Sequence, residues 1–104
     1  MIIPLKQCIR EIEDFPEEIR NDLADALARL QEGHTLGLPL SRPMPRIGPG
    51  VHELRLKDRN GIYRVIYYLA GAETIWLLHA FVKKTQKTPQ HNIEVAQDRL
   101  RRVP

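Results

Sequence analysis

The chain has 104 residues, 42% of them hydrophobic and 28% charged, which suits one soluble domain spanning residues 1–104. Its apolar runs fall far short of the ~20 residues that cross a bilayer, and Glu11 comes too early for a secretory signal. A cytoplasmic protein without membrane contact is therefore expected. The net charge is only +3, but the front half is acidic while residues 42–64 and 83–87 are basic, which suggests a molecule with two oppositely charged faces.

Two helices are predicted at the N-terminus. Apolar residues at i, i+3, i+4 and i+7 predict a helix over residues 5–13. Cys8 lies on its apolar stripe and is predicted to be a core residue rather than a reactive one. Pro16 ends this helix and suits the first turn of a second, which runs to about Glu32 with Gly33 as its C-terminal cap. The two form a helical hairpin.

Residues 33–50 are predicted to contain no regular element. Four prolines and four glycines interrupt every periodicity in this segment. An ordered loop of this length is unusual and suggests a functional surface. A plain connector between helices and sheet is an equally good interpretation.

Three strands and a last helix are predicted after this segment. Alternation predicts a strand over 51–57, and Asn60-Gly61 predicts a tight hairpin into a second strand over 62–69. A third strand over 74–82 is almost wholly apolar, so it is expected at the centre of the sheet or covered on both faces. A helix over 92–102 follows. The predicted fold is α+β: two N-terminal helices packed on a small antiparallel sheet of three strands, or four, plus a short C-terminal helix.

A simple count of register predicts a cationic row across the three strands. A two-residue turn at Asn60-Gly61 places Lys57 opposite Arg64, and one at Gly71-Ala72 places Arg64 opposite His79. The opposite, core face of the sheet would then carry Leu54, Leu56, Val65 and Leu78.

Such a row suits phosphodiester chemistry. Opposed cations destabilise a sheet by up to ~1 kcal/mol, and an anion between them offsets that repulsion. Histidine serves as base or acid near neutral pH, arginine stabilises the developing phosphorane charge, and Tyr68 or Phe81 could stack on a splayed base. The sequence shows no metal-ligand spacing, and neither a metal nor another cofactor is predicted.

Structural interpretations stand beside these functional ones. His79 lies in an apolar strand, where a satisfied core histidine is as plausible as a catalyst. Arg64 could form a structural ion pair with Glu53 or with a helix carboxylate. The lysines at 83, 84 and 87 could be a solvated run.

The segments HELRLKDRNGIYRVIYY and LLHAFVKKTQKTP, with the terminal EVAQDRL, resemble the RelE/HigB superfamily of toxins, in particular its phage-related branch. The resemblance implies a ribosome-dependent messenger-RNA endoribonuclease that inhibits translation, the toxin of a type II toxin–antitoxin pair. It implies the ribosome and mRNA as partners, together with a helix-turn-helix antitoxin. Operator DNA would be bound only by the antitoxin and not by the toxin itself.

The same resemblance assigns residues. Arg64 and Lys84 match catalytic cations of the family, and His79 matches more loosely. The cations predicted to bind RNA are Arg55, Lys57, Arg59, Lys83 and Lys87. Two departures concern the family's first strand, here reduced to residues 1–4, and the catalytic tyrosine of some relatives, which residues 89–104 lack. The alternative is therefore an inactive phage-derived module that binds RNA, the ribosome or a protein. A third hypothesis, compatible with the toxin, is that an acidic antitoxin segment docks on the basic face.

Overall fold

The computed structural model describes residues 1–71, 73–83 and 88–104. None of the helices in these ranges is long and apolar enough to cross a membrane. The elements follow the chain in the order β1 Ile2–Pro4, α1 Lys6–Glu13, α2 Glu17–Gln31, β2 Ser41–Pro43, β3 Val51–Asp58, β4 Gly61–Ala70, β5 Thr74–Lys83 and α3 Gln90–Leu100. The predicted helices and the three long strands are confirmed to within about two residues.

The two N-terminal helices form the predicted hairpin on one face of the sheet. α2 begins directly after Pro16, whose fixed φ suits a helix start, and Glu17 and Glu18 lie where the helix dipole favours negative charge. Cys8 of α1 is fully buried, as predicted. Burial raises the pKa of its thiol to about 12, with the charge of Glu11 adding to the effect and Arg99 opposing it, so this cysteine is an inert core residue.

The α+β class is confirmed, but the sheet has five strands rather than three or four. The strand order is β1-β5-β4-β3-β2. β1 pairs with β5 in parallel, and the other neighbours are antiparallel. The first strand that the resemblance implied is thus present as three residues, and β5 lies inside the sheet, as its apolar sequence predicted.

The fifth strand, β2, lies within the segment predicted to have no regular element, so that prediction is wrong at Ser41–Pro43. Backbone pairing brings Arg42 opposite Glu53 and Pro43 opposite His52. Proline is tolerated because β2 is an edge strand. The pairing matters for function because it brings an arginine of the proline-rich segment onto the sheet.

The β3–β4 hairpin differs in register from the simple count by two residues. Asp58 pairs with Gly61, and its carboxylate Oδ1 accepts the backbone N–H of Asn60 at 2.7 Å and of Gly61 at 3.1 Å. This side chain moves the turn to Arg59-Asn60, a known role of aspartate in turns. A shift by an even number keeps every side chain on its predicted face but changes its partner, so Arg64 lies opposite Arg55 and not Lys57.

The β4–β5 pair differs through an irregularity at the centre. Ala70 pairs with Thr74, and a register shift between Ile66 and Tyr67 displaces the ladder further. Beyond it His79 lies opposite Ile66, and Arg64 lies opposite Phe81. The predicted row Lys57–Arg64–His79 is therefore wrong. Ala72, which belongs to the predicted turn, lies outside the described residues.

Apolar residues cover both faces of the sheet. The larger core lies under α1 and α2 and includes Leu54, Leu56 and Val65, as predicted. Leu78 instead belongs to a second core with Ile66 and Ile93 of α3, so its predicted side is wrong. The shift in the β4–β5 ladder accounts for this difference, because an extra residue in one strand reverses the alternation. The second face also carries charged side chains, among them the fully buried Glu53 and Arg64.

Candidate functional site

The polar part of the second face is built around the buried carboxylate of Glu53, where three arginines converge. Glu53 and Arg55 lie two apart on β3, so both point to the same face. Pairing adds Arg42 of β2 opposite Glu53, and Arg64 of β4 opposite Arg55. We call Arg42, Glu53, Arg55 and Arg64 the arginine cluster.

The distances show how closely the charges approach one another. Glu53 Oε1 lies 3.3 Å from Arg42 Nε and 3.6 Å from Arg55 Nε, and Oε2 lies 3.7 Å from Arg64 Nη1. The ion pair of Arg64 with Glu53, left open by the sequence, is therefore present. Three guanidinium groups against one carboxylate leave the cluster with two excess positive charges.

Thr88 closes the cluster from the segment that precedes α3. Its hydroxyl donates to Glu53 Oε2 at 2.6 Å and accepts from Arg64 Nη1 at 2.9 Å and from Arg42 Nη2 at 3.1 Å. Thr88 is 4% exposed. A single hydroxyl thus ties β2, β3 and β4 to the start of the C-terminal helix.

Exposure divides the three arginines into two kinds. The side chain of Arg64 is fully buried, whereas those of Arg42 and Arg55 are 33% and 18% exposed. Burial lowers the pKa of Arg64; Glu53 opposes this, and Arg55 and Arg42 lower it further. An arginine nevertheless stays charged in a protein. Arg42 and Arg55 are therefore accessible to an anion in solution. Arg64 adds positive charge from its buried position below them.

Two cavities flank the cluster. One, of about 310 Å³, is lined by Arg55, Lys57 and the apolar residues Pro39, Leu40 and Ile62. The other, of about 290 Å³, is lined by Arg42, Thr88, Arg46 and apolar residues of the 43–45 turn and α3. Both are near the lower limit of cavities that hold small ligands. The excess positive charge lies between them, since each cavity shares one partly exposed arginine with the cluster.

His79 lies in a separate polar network that links α1, β5 and α3. It is 6% exposed. Its Nδ1 lies 3.1 Å from Glu11 Oε1, and its Nε2 lies 2.7 Å from Asn92 Oδ1. Its ring stacks on Phe81, with 4.9 Å between centroids. Because both ring nitrogens contact protein oxygens, His79 has the surroundings of a satisfied core histidine.

Glu11 is the centre of this second network. Arg99 of α3 donates to both of its oxygens, at 2.7 and 3.0 Å, and the backbone N–H of Ala80 donates at 3.0 Å. Burial by itself raises the pKa of Glu11, but the hydrogen bonds from His79, Arg99 and Ala80 outweigh burial and lower it to about 2. The carboxylate therefore stays charged and holds α3 to the sheet. We call Glu11, His79, Asn92 and Arg99 the glutamate network.

The other predicted residues are distributed around the cluster. Lys57 is exposed opposite Ile62 and lines the larger cavity. Arg59 is exposed in the β3–β4 turn, and Lys83 is half-buried at the end of β5, where it pairs with Ile62. Lys84 and Lys87 lie outside the described residues. The structure thus brings together Arg55, Arg64 and Lys57, and it separates His79 from them.

Some residues of these networks were missed by the sequence. Arg42 lies in a proline-rich segment, and only the three-residue strand β2 brings it to Glu53. Long sequence separations lie between Thr88, Glu11 and Arg99 and their partners, so no local sequence pattern predicts these contacts. Glu53 was not missed, since the sequence named it as one candidate partner of Arg64, and its period-two spacing to Arg55 predicts a shared face.

Comparison with known proteins relates the chain to one family and its relatives. The family model described as phage derived protein Gp49-like (DUF891) matches residues 10–101. Over 90 residues the chain is 31% identical to a protein of Mycobacterium tuberculosis, strain CDC 1551 / Oshkosh, named "Probable endoribonuclease HigB1". The match covers 86% of this chain and 68% of that protein. The same figures hold for the protein of that name in strain ATCC 25618 / H37Rv.

Solved structures agree on the fold. The crystal structure of the RelB-RelE antitoxin-toxin complex from Methanococcus jannaschii superposes with a TM-score of 0.61 at 16% identity, covering 77% of this chain and 88% of that one. A mutant of the E. coli toxin RelE in the free state gives a TM-score of 0.61 at 17% identity, covering 100% and 97%. At these identities the likeness concerns the fold.

Proposed function

We infer the function from the family, because this chain belongs to the phage-derived Gp49-like proteins (DUF891). It is the toxin of a type II toxin–antitoxin pair and an endoribonuclease that cleaves messenger RNA on the ribosome and so inhibits translation. Support comes from the relative named an endoribonuclease and from the RelE-like fold. The site of action is the cytoplasm.

The observation that carries the proposal is the arginine cluster. Three guanidinium groups surround one buried carboxylate, and the two partly exposed ones, Arg42 and Arg55, border cavities on either side. A phosphodiester carries one negative charge and the phosphorane formed from it carries two, which match the two excess positive charges, and arginine binds phosphate through planar, paired hydrogen bonds. Glu53 holds the guanidinium groups apart and oriented before the anion arrives.

In the proposed reaction the 2′-hydroxyl of the RNA loses its proton to a base and attacks the adjacent phosphorus. The bond to the 5′-oxygen breaks, and that oxygen takes up a proton. Negative charge grows on the phosphorane oxygens, where Arg55 and Arg42 make contact and Arg64 adds charge from beneath. Charge stabilisation by pre-oriented donors is typically the largest single contribution to such catalysis.

The remaining assignments extend this proposal. Exposed Lys57 and Arg59, together with Lys83, bind the RNA backbone beside the cluster. Lys84 and Lys87 stay sequence predictions, with Lys84 as a catalytic cation. His79 has a structural role in this proposal, because its contacts with Glu11 and Asn92 hold α3 against the sheet.

A helix-turn-helix antitoxin is the proposed partner and neutralises the toxin. The antitoxin-toxin complex among the structural neighbours supports an antitoxin partner. Acidic residues of such a protein would compete with RNA for Arg42, Arg55 and Lys57. Operator DNA is then bound through the antitoxin.

Inducible expression tests the proposal. The wild-type chain is expected to arrest growth and to produce new 5′ ends within translated messages, whereas Arg55→Ala relieves both effects and Arg10→Ala, on the exposed surface of α1, does not. A circular dichroism spectrum and a thermal unfolding curve of each variant show that it is folded. New 5′ ends that are unchanged in a folded Arg55→Ala chain contradict the assignment of the site.

One feature favours a second function, RNA or ribosome binding without cleavage. Arg64 is fully buried and both nitrogens of His79 contact protein groups, so two of the three predicted catalytic side chains are not presented to solvent. This alternative predicts ribosome or RNA binding that weakens with salt and no new 5′ ends at any expression level.

A further inference from the structure

The cavity of about 310 Å³ beside the arginine cluster has the chemistry of a nucleobase pocket. Three apolar side chains, from Pro39, Leu40 and Ile62, line it together with two cationic ones, from Arg55 and Lys57. Apolar walls with a few placed polar groups are typical of sites for small planar ligands.

The fold holds the walls of this cavity in place. The carbonyl oxygen of Leu40 accepts the backbone N–H of Arg55 at 2.7 Å, which fixes the segment before β2 against β3. Ile62 pairs with Lys57 across the β3–β4 ladder, so their side chains lie on the same face. The cavity is therefore formed by backbone pairing between neighbouring strands.

Arg55 connects the cavity to the proposed cleavage site. Its guanidinium Nε lies 3.6 Å from Glu53 Oε1, within the arginine cluster, and the same side chain lines the cavity. A phosphate bound at the cluster and a group bound in the cavity would share one arginine. In a nucleic acid, the group attached next to a phosphate is a nucleoside, and the apolar faces of its base match the apolar side chains of Pro39, Leu40 and Ile62 that line this cavity.

We propose that this cavity binds the base of one nucleotide of single-stranded RNA next to the scissile phosphate, and that Ile62 and Leu40 help to determine the base preference at that position. The proposal rests on the proposed function in that the nucleotide is part of the RNA that is cut. Positive charge on Arg55 and Lys57, which line the cavity, complements the phosphate on either side of that nucleoside, while the apolar walls contact the base.

The test uses the full-length chain with labelled isoleucine and leucine methyl groups, titrated with adenosine 5′-monophosphate, uridine 5′-monophosphate and ribose 5-phosphate at millimolar concentrations. We expect either nucleotide to shift the methyl resonances of Ile62 and Leu40, and the ribose phosphate to leave them in place. Equal shifts from all three ligands, or none from any, overturn the proposal.

A matched pair of variants adds an affinity measurement. Ile62→Ala removes an apolar wall and is expected to weaken nucleotide binding about tenfold, as the loss of such contacts does in other pockets, while the affinity for inorganic phosphate is unchanged. Val82→Ala is the control, because Val82 is a half-exposed strand residue that pairs with Tyr63 of the larger core. Nucleotide affinity that is unchanged in Ile62→Ala, or phosphate affinity that falls equally, contradicts the pocket.

The same experiments separate this inference from the proposed function. If nucleotides shift the Ile62 and Leu40 methyl groups but wild-type protein cuts no RNA, the proposed function is wrong and the pocket stands. If RNA is cut but only an acidic peptide shifts those methyl groups, the cavity binds protein and the inference is wrong. If Ile62→Ala does not fold, the titration of the wild-type chain alone decides.

Discussion

The arginine cluster and the glutamate network are each built around one glutamate on or against the same sheet, yet their charge balance differs. Glu53 faces three arginines, two of them partly exposed. Glu11 faces one arginine, a histidine and a backbone N–H. The first arrangement carries excess positive charge beside two cavities, and the second joins three elements with its charges nearly matched. Excess positive charge on partly exposed side chains indicates a site that binds an anion. Balanced charge on buried side chains indicates a network that stabilises the fold.

Removal of Glu53 should have the largest effect. Glu53→Ala leaves three arginines close together without their carboxylate, and breaking a buried ion pair by removing one partner costs about 3 kcal/mol or more. We expect the free energy of unfolding in urea to fall by about that amount, against a change of less than about 0.5 kcal/mol for Asp25→Ala on the exposed surface of α2, beyond its first turn. Equal losses in the two variants would mean that the cluster does not depend on its carboxylate.

The pH dependence of stability should reveal the glutamate network. The pKa of Glu11 falls from an ordinary 4.5 to about 2 in the folded chain, which corresponds to at most about 3 kcal/mol. Because the folded pKa is the lower one, this stabilisation is complete above about pH 4.5 and is lost as the pH falls towards 2. Urea unfolding of wild type and Glu11→Gln across this range should show the two stabilities converging. A difference that does not change with pH contradicts the assignment.

Substitution of His79 should show whether this histidine stabilises the fold or takes part in catalysis. His79→Ala removes contacts with Glu11 and Asn92, and it should lower the free energy of unfolding by about 1–3 kcal/mol. Since Arg99 still holds Glu11, we expect RNA cleavage by the folded fraction to stay within about twofold of wild type. Cleavage that disappears in a stable His79→Ala chain would restore the histidine to the catalytic role that its sequence suggested.

The smallest expected effect concerns Lys57. This exposed lysine borders the cavity beside Arg55, so Lys57→Ala should weaken RNA binding modestly. It should also reduce the slope of log affinity against log salt by about 0.7, the value for one phosphate contact on a single strand. An unchanged slope would mean that Lys57 does not contact an RNA phosphate.

The sequence predicted elements better than it predicted contacts. The bounds of the helices and of the three long strands follow from local signals, such as Pro16 before α2 and the apolar alternation of β3, whereas the three-residue strand β2 was not predicted. The predicted register was wrong, because one side-chain interaction at Asp58 and one shift in the β4–β5 ladder each change the pairing partners without changing the periodicity of the sequence.

For the site, the sequence singled out Arg55 and Arg64 as candidates and gave Glu53 as one of two kinds of ion-pair partner for Arg64, but it did not predict their surroundings. Arg42 and Thr88 reach the cluster through a three-residue edge strand and a segment next to α3, and neither has a repeating pattern to read. The burial of Arg64 likewise depends on the residues that Arg42 and Thr88 bring to the cluster. The sequence of its own strand is equally compatible with an exposed arginine.

The central claim is that cleavage takes place at the arginine cluster and not at the glutamate network. The direct measurement is the rate at which purified Arg55→Ala and His79→Ala chains cut message bound to ribosomes, relative to wild type. The account predicts a loss of about hundredfold for Arg55→Ala, the usual effect of removing one charge-stabilising donor, and a loss within about twofold for His79→Ala. The reverse order, with Arg55→Ala active and folded His79→Ala inactive, would contradict it.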